Sequence, residues 1–173
     1  MPNPAIPRDQ VHTLAEACSD AGETFQPTAD RLLREQRRLG RFIERNASSL
    51  GAQAAQSAVY MCAVTVRIFE QVGGRLKDVT HADLDAAAAR VATAVDGLLP
   101  ADEGVPGRLR AVPWRAQPHL LDEILWALYE KEEKAEGEVR VEPPEAFLLL
   151  LTLWAIVEAL DARWTPPSGY VGA

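Results

Sequence analysis

The stretch PPEAFLLLLTLWAIVEALDARW, residues 143–164, decides the fold of this chain. From Ala146 to Val157 every residue except Thr152 is apolar. A helix that is apolar on all sides is buried on all sides, and a run of about a dozen residues is too short for a membrane span, which takes about 20. A pair of prolines opens the stretch and a second pair follows it, which suits the start and the end of one helix. The stretch therefore predicts a central helix that other helices surround.

Composition indicates a helical domain with a substantial core. The chain has 173 residues, and 47% of them are hydrophobic, which suits one globular domain. Alanine and leucine dominate, and both favour helices. Arginine far outnumbers lysine, as in bacterial proteins encoded by GC-rich genes. The two cysteines, Cys18 and Cys62, are expected to be free thiols in a reducing cytoplasm.

Helical periodicity predicts five further helices, and with the central one they make an all-α, single-domain bundle of about six helices. Their predicted ranges are residues 8–21, 27–49, 51–72, 81–98 and 119–134. The domain is expected to span residues 8–164. A proline-rich arm at residues 1–7, flexible unless it docks, and a flexible tail at residues 165–173 would flank it. The connection at residues 99–118 is long enough to be either functional or disordered.

The second predicted helix carries the strongest functional signal. Six arginines fall within about a third of the helical circle, opposite an apolar stripe. Only two acids interrupt them, in a chain whose net charge is −7. The planar guanidinium pairs well with carboxylates and phosphates, so we predict that this face binds a partner. We call these residues the arginine face: Arg31, Arg34, Arg37, Arg38, Arg41 and Arg45.

Two other interpretations of the arginine face stay open. It can be a solvated surface, partly paired from Glu35 to Arg38 and from Arg41 to Glu44. It can also dock, within the chain or in a second copy, onto residues 122–145, a segment that contains nine acids and three bases.

A second candidate binding surface lies in the 99–118 connection. Its members are Arg108, Arg110, Trp114 and Arg115. An exposed tryptophan among arginines can stack on bases or anchor a protein interface. In the alternative, which we favour, Trp114 folds back over the core as a lid.

Acidic pairs raise the question of metal chemistry. Glu130-x-x-Glu133 and Glu158-x-x-Asp161 resemble the magnesium-binding carboxylates of the all-α, MazG-like NTP pyrophosphohydrolases. That resemblance implies a hard cation held between apposed helices. In an antiparallel hairpin of the last two helices, however, the two pairs would lie more than about 20 Å apart. We find no other metal, cofactor or nucleophile motif, so we predict no catalytic residue, metal or cofactor.

The sequence therefore predicts a non-enzymatic, cytoplasmic adaptor or accessory subunit. Its arginine face would bind an acidic protein partner, or the acidic half of a second copy. A first alternative is a nucleic-acid backbone-binding subunit of a ribonucleoprotein, although the net charge of −7 argues against it. A second alternative is a metal-dependent enzyme or small-ligand binder with a pocket between helices. No stretch predicts a transmembrane segment.

Overall fold

The protein is an all-α bundle, which confirms the predicted fold class. The computed structural model describes residues 2–131 and 141–172. Their helices, in chain order, are α1 (Arg8–Ala21), α2 (Gln26–Glu35), α3 (Arg37–Ala47), α4 (Ala52–Val72), α5 (His81–Ala92), α6 (Val95–Leu98), α7 (Val105–Arg110), α8 (Pro118–Leu125) and α9 (Pro143–Arg163). Two-residue strands, β1 (Arg75–Leu76) and β2 (Trp164–Thr165), pair antiparallel.

Helix α9 forms the centre of the bundle, as the sequence predicts. It packs against α3, α4, α5 and α8, and its Trp154 is fully buried. The prediction of burial on all sides is wrong on one side of α9, where the side chain of Leu148 is 44% exposed and that of Leu151 is only partly buried. The two residues are three positions apart, so they share one side of the helix, and the neighbouring helices leave this side partly open.

The second predicted helix, residues 27–49, is in fact two helices that meet at Gln36. The backbone of Gln36 leaves the helical region, with φ −104° and ψ 51°. Its side chain is buried. The Gln36 amide donates to the carbonyl of Lys77 at 3.2 Å and accepts from the Val79 N–H at 2.9 Å. These bonds satisfy buried backbone groups of the segment before α5, and thus favour the break.

Three other predicted boundaries also change. The helix predicted at residues 81–98 divides into α5 and α6, and the connection at residues 99–118 is ordered and contains α7. The fifth predicted helix is α-helical only as far as Leu125, the end of α8, and a π-helical turn, Trp126–Glu130, follows it. Its predicted last residues, 132–134, lie outside the described part of the chain.

Both terminal segments lie against the bundle. Ile6 in the arm is fully buried. The Asn3 side chain donates to the backbone carbonyls of Asp161 and Trp164, at 2.8 Å each. In the tail, the Tyr170 ring meets the Trp164 ring edge-on at 5.8 Å. The N-terminal arm has thus docked onto the end of α9.

No helix within residues 2–131 and 141–172 combines the length and apolar character needed to cross a bilayer.

Candidate functional site

Five members of the arginine face are exposed to solvent. Within the described residues, the guanidinium groups of these five arginines make no ion pair and no hydrogen bond. These five are Arg34, Arg37, Arg38, Arg41 and Arg45. The amphipathic pattern of α3 produces this arrangement for the last four, because the apolar side of α3 is buried in the core and turns its arginines outward, whereas Arg34 lies on α2.

Arg31, the sixth member, has a structural role. Its guanidinium forms two hydrogen bonds with Glu70 of α4, at 2.9 and 3.0 Å, and lies 3.3 Å from Glu35. Glu70 also pairs with Arg67. The hydrogen bond from Arg31 is the largest cause that holds the pKa of Glu70 below its usual value. Arg31 therefore ties α2 to α4 and has little capacity left for an external partner.

The intrachain pairs considered for the arginine face do not form among the described residues. Glu35 contacts Arg31 and not Arg38, and no ion pair joins Arg41 to Glu44. These arginines consequently keep their full capacity to donate hydrogen bonds.

Three described acids of the segment at residues 122–145 are paired elsewhere in the molecule. Asp122 accepts from Arg110 Nε at 3.1 Å, and Glu130 also pairs with Arg110. Glu123 accepts from His12 at 3.2 Å. The acids at positions 132–140 lie outside the described residues. These three acids thus neutralise basic groups of α7 and α1, and no ion pair within the described residues joins the segment to the arginine face.

The second candidate surface makes mainly intramolecular contacts. The Trp114 ring stacks on the buried Trp154 ring at 5.0 Å, and the guanidinium of Arg90 lies 4.6 Å from its centre. The Arg108 side chain donates to the carbonyls of Leu98 and Pro100, at 3.1 and 2.8 Å. The lid arrangement of Trp114 is therefore the one that the structure contains.

The fourth residue of that surface, Arg115, is largely inside. Its side chain is 13% exposed and donates to the carbonyls of Val112 and Arg110, at 3.0 Å each. Burial lowers the pKa of Arg115, although Asp122 nearby opposes this shift. Arg108, Arg110, Trp114 and Arg115 together hold the 99–118 connection against the bundle, and we do not include them in the candidate binding surface.

A buried polar cluster, which the sequence analysis missed, joins the arm to α9. The Gln117 amide donates to Asp161 Oδ1 at 2.8 Å and to the Pro4 carbonyl at 3.1 Å, and accepts from the Ile6 N–H at 2.9 Å. Glu158 accepts from Trp154 Nε1 at 3.2 Å, and burial raises the pKa of Glu158. Two acids within an apolar helix were the available signal. Asp161 accepts from the Asn3 N–H of the arm at 3.1 Å, and Glu158 accepts from the Ala116 N–H of the connection at 3.2 Å, so both acids hold these segments against α9.

A cleft of about 410 Å³ lies between α1 and α8, a volume that suits a small molecule. Hydrogen bonding to Glu123 raises the pKa of His12 in its wall, and Trp126 at its rim is 40% exposed. Asp122 and Glu123 of its wall are already paired with Arg110 and His12. The other charged side chains of the wall, Arg8 and Asp9, are opposite in sign, so the charges do not select a class of ligand.

The carboxylate pattern that resembles magnesium sites does not assemble within the described residues. There, no three His, Cys, Asp or Glu side chains come together in a group that could hold a metal ion. Glu130 pairs with Arg110, and Glu158 bonds to the core residue Trp154. Glu133 lies outside the described part of the chain.

One further basic residue lies next to the arginine face. The bond from Gln36 to the Lys77 carbonyl brings Lys77 beside the junction of α2 and α3, and the residue is exposed. Lys77 is more than 30 positions away from the arginines in sequence, so only the buried glutamine at position 36 could have indicated this neighbour.

Comparison of the chain with models of protein families, with curated proteins and with solved structures finds no match.

Proposed function

We propose that this protein is a non-enzymatic binding module that uses its arginine face to hold an acidic protein surface. One observation carries the proposal: five arginines between positions 34 and 45 are exposed, and no acid of the described chain pairs with them. An arginine cluster without internal partners is suited to charge-assisted hydrogen bonds with carboxylates. Two unpaired cysteines, Cys18 and Cys62, support the expectation of a cytoplasmic setting.

An acidic protein fits better than a nucleic acid. The nucleic-acid hypothesis used Trp114 and its neighbouring arginines as a second grip on phosphates and bases, and these side chains are engaged within the molecule. The net charge of −7 would also oppose approach to a polyanion without a larger basic surface.

The test is purification of the tagged protein at low salt from its own cells, followed by identification of what accompanies it. We expect a stoichiometric acidic polypeptide, or a second copy of the chain itself. The substitutions Arg37→Gln and Arg41→Gln together should weaken this association about tenfold, because each exposed charge pair contributes up to about 1 kcal/mol.

A charge-matched control separates the surface from the net charge. Ala86→Glu with Ala89→Glu, at exposed positions of α5, lowers the net charge by the same two units far from α3 in sequence. This variant should keep the partner. Co-purified nucleic acid that dissociates at high salt, or equal loss of the partner in both variants, would contradict the proposal. Circular dichroism must show that both variants remain folded.

A further inference from the structure

Three of the four arginines of α3 form a straight stripe. Arg38, Arg41 and Arg45 are spaced three and four residues apart, so they fall within about 60° of the helical circle. The distance along the axis from Arg38 to Arg45 is about 10 Å. We call these three residues the basic stripe.

Helix α1 carries an acidic stripe of similar geometry. Asp9, Glu16 and Asp20 are exposed and fall within about 40° of the helical circle. Asp9 and Glu16 are seven residues apart, as are Arg38 and Arg45, so the two pairs have the same spacing of about 10 Å. The side chain of Glu16 is 64% exposed although it also contacts His12.

The two stripes do not neutralise each other within one copy. Helix α1 packs against α4 and α8, whereas α3 packs against α4 and α9. Among the described residues, no ion pair joins α1 to α3. Each stripe therefore faces solvent and is open to a second molecule.

We infer that the acidic partner of the arginine face is a second copy of this chain, which presents its α1 stripe to the α3 stripe of the first. This inference rests on the proposed function and names its partner. Matched spacing allows the charges of two antiparallel or parallel helices to meet in register. The contact joins two unlike surfaces. It therefore produces a closed pair or ring where the rotation between copies closes, and an open chain of copies where it does not.

The contact is of the transient, salt-sensitive kind. Neither stripe includes a large exposed apolar side chain, since the described ones that are exposed lie in other elements: Val59, Tyr60, Leu99, Trp126, Leu148 and Val171. Charge pairs without an apolar centre are screened within about 10 Å at 0.1 M salt. Association should therefore be visible at high protein concentration and low ionic strength.

Analytical ultracentrifugation of the purified full chain tests this inference. At about 20 mM salt and several hundred micromolar protein, the wild type should sediment as assemblies that dissociate when salt rises to about 300 mM. Variant one, Arg38→Glu with Arg41→Glu, and variant two, Glu16→Arg with Asp20→Arg, should each be monomeric. An equimolar mixture of the two should associate again, because each variant retains the stripe that the other lacks.

General charge attraction cannot produce that result. Each variant shifts the net charge of −7 by four units in opposite directions, so both remain net negative. A monomeric wild type at low salt, or a mixture that stays monomeric, would overturn the inference. If the wild type is monomeric and Arg37→Gln/Arg41→Gln still loses a different polypeptide from cell extracts, the proposed function stands and only the identity of its partner changes.

Discussion

At the residue scale, Gln117 shows how one polar side chain can hold distant segments together. Its backbone has a positive φ of 48°, which is uncommon for residues other than glycine. Its buried amide joins the arm, at Pro4 and Ile6, to Asp161 of α9. The strained backbone persists because these three hydrogen bonds require the side chain in this direction.

Replacement of Gln117 separates the two effects. Gln117→Ala keeps the unfavourable φ and leaves the Ile6 N–H without its partner, so we expect a loss of about 2–3 kcal/mol in the free energy of unfolding. Gln117→Gly loses the same bonds but tolerates the positive φ, and should cost about 1 kcal/mol less than alanine. Urea denaturation measures both. An alanine variant as stable as the glycine variant would show that the backbone at this position is unstrained.

The imidazole of His12 offers a second test at the residue scale. Its pKa lies above the usual 6.5, first because of its hydrogen bond to Glu123 and to a smaller extent because of Glu16. Glu123→Gln should therefore lower the pKa of His12 more than Glu16→Gln does. A proton NMR titration of the ring measures both changes, and an equal effect of the two substitutions would contradict the contact seen here.

The sign of the associated pH dependence follows from that shift. Since the folded-state pKa of His12 is raised above its unfolded value, the pair with Glu123 stabilises the fold at low pH. This contribution disappears as the pH rises through the folded-state pKa. The side chain is largely exposed, so solvent keeps the effect small.

At the element scale, helices whose ends are marked by local residues were predicted well. The predicted range of α1 is the observed one, and α4 and α9 agree within a residue. Glycines follow α1 and α4, and prolines begin α9, so the signals are local to the ends of these helices. The break at Gln36 was not predictable in this way, because it depends on residues 77–79, which lie some 40 positions later.

Helix α5 permits a direct test of such a local signal. Thr80 and Asp83 form a reciprocal capping box, with hydrogen bonds of 3.1 and 2.8 Å. Thr80→Ala should lower the free energy of unfolding by about 1 kcal/mol. Thr93→Ala is the matched control, because the exposed Thr93 hydroxyl donates only to the Arg90 carbonyl at the other end of the helix. It should cost less than about 0.5 kcal/mol. Thermal denaturation compares the two.

At the scale of the whole molecule, the arginine face illustrates what a sequence can and cannot specify. Its periodicity predicted which side of the helix carries charge, but exposure depends on how helices from distant parts of the chain pack. Arginines with the same charge have different environments. Arg34 and Arg38 are exposed to solvent, whereas Arg31 pairs with Glu70 of α4 and Arg110 pairs with Asp122 of α8. Only the folded chain distinguishes a surface arginine from one that joins two elements.

The N-terminal arm supplies the last prediction, because it completes the core rather than extending from it. Ile6 is fully exposed in an isolated arm but fully buried in the structure, within the same apolar cluster as α9. Ile6→Ala should therefore cost about 3 kcal/mol of unfolding free energy, from lost burial and the cavity left behind. Val171→Ala in the tail, where the side chain is 86% exposed, should be neutral. Urea denaturation measures both. If Ile6→Ala is also neutral, the arm is not docked in solution. Gln117 Oε1 and Asp161 Oδ2, which accept from the N–H groups of Ile6 and Asn3, would then need other partners, because a buried polar group left unpaired is destabilising.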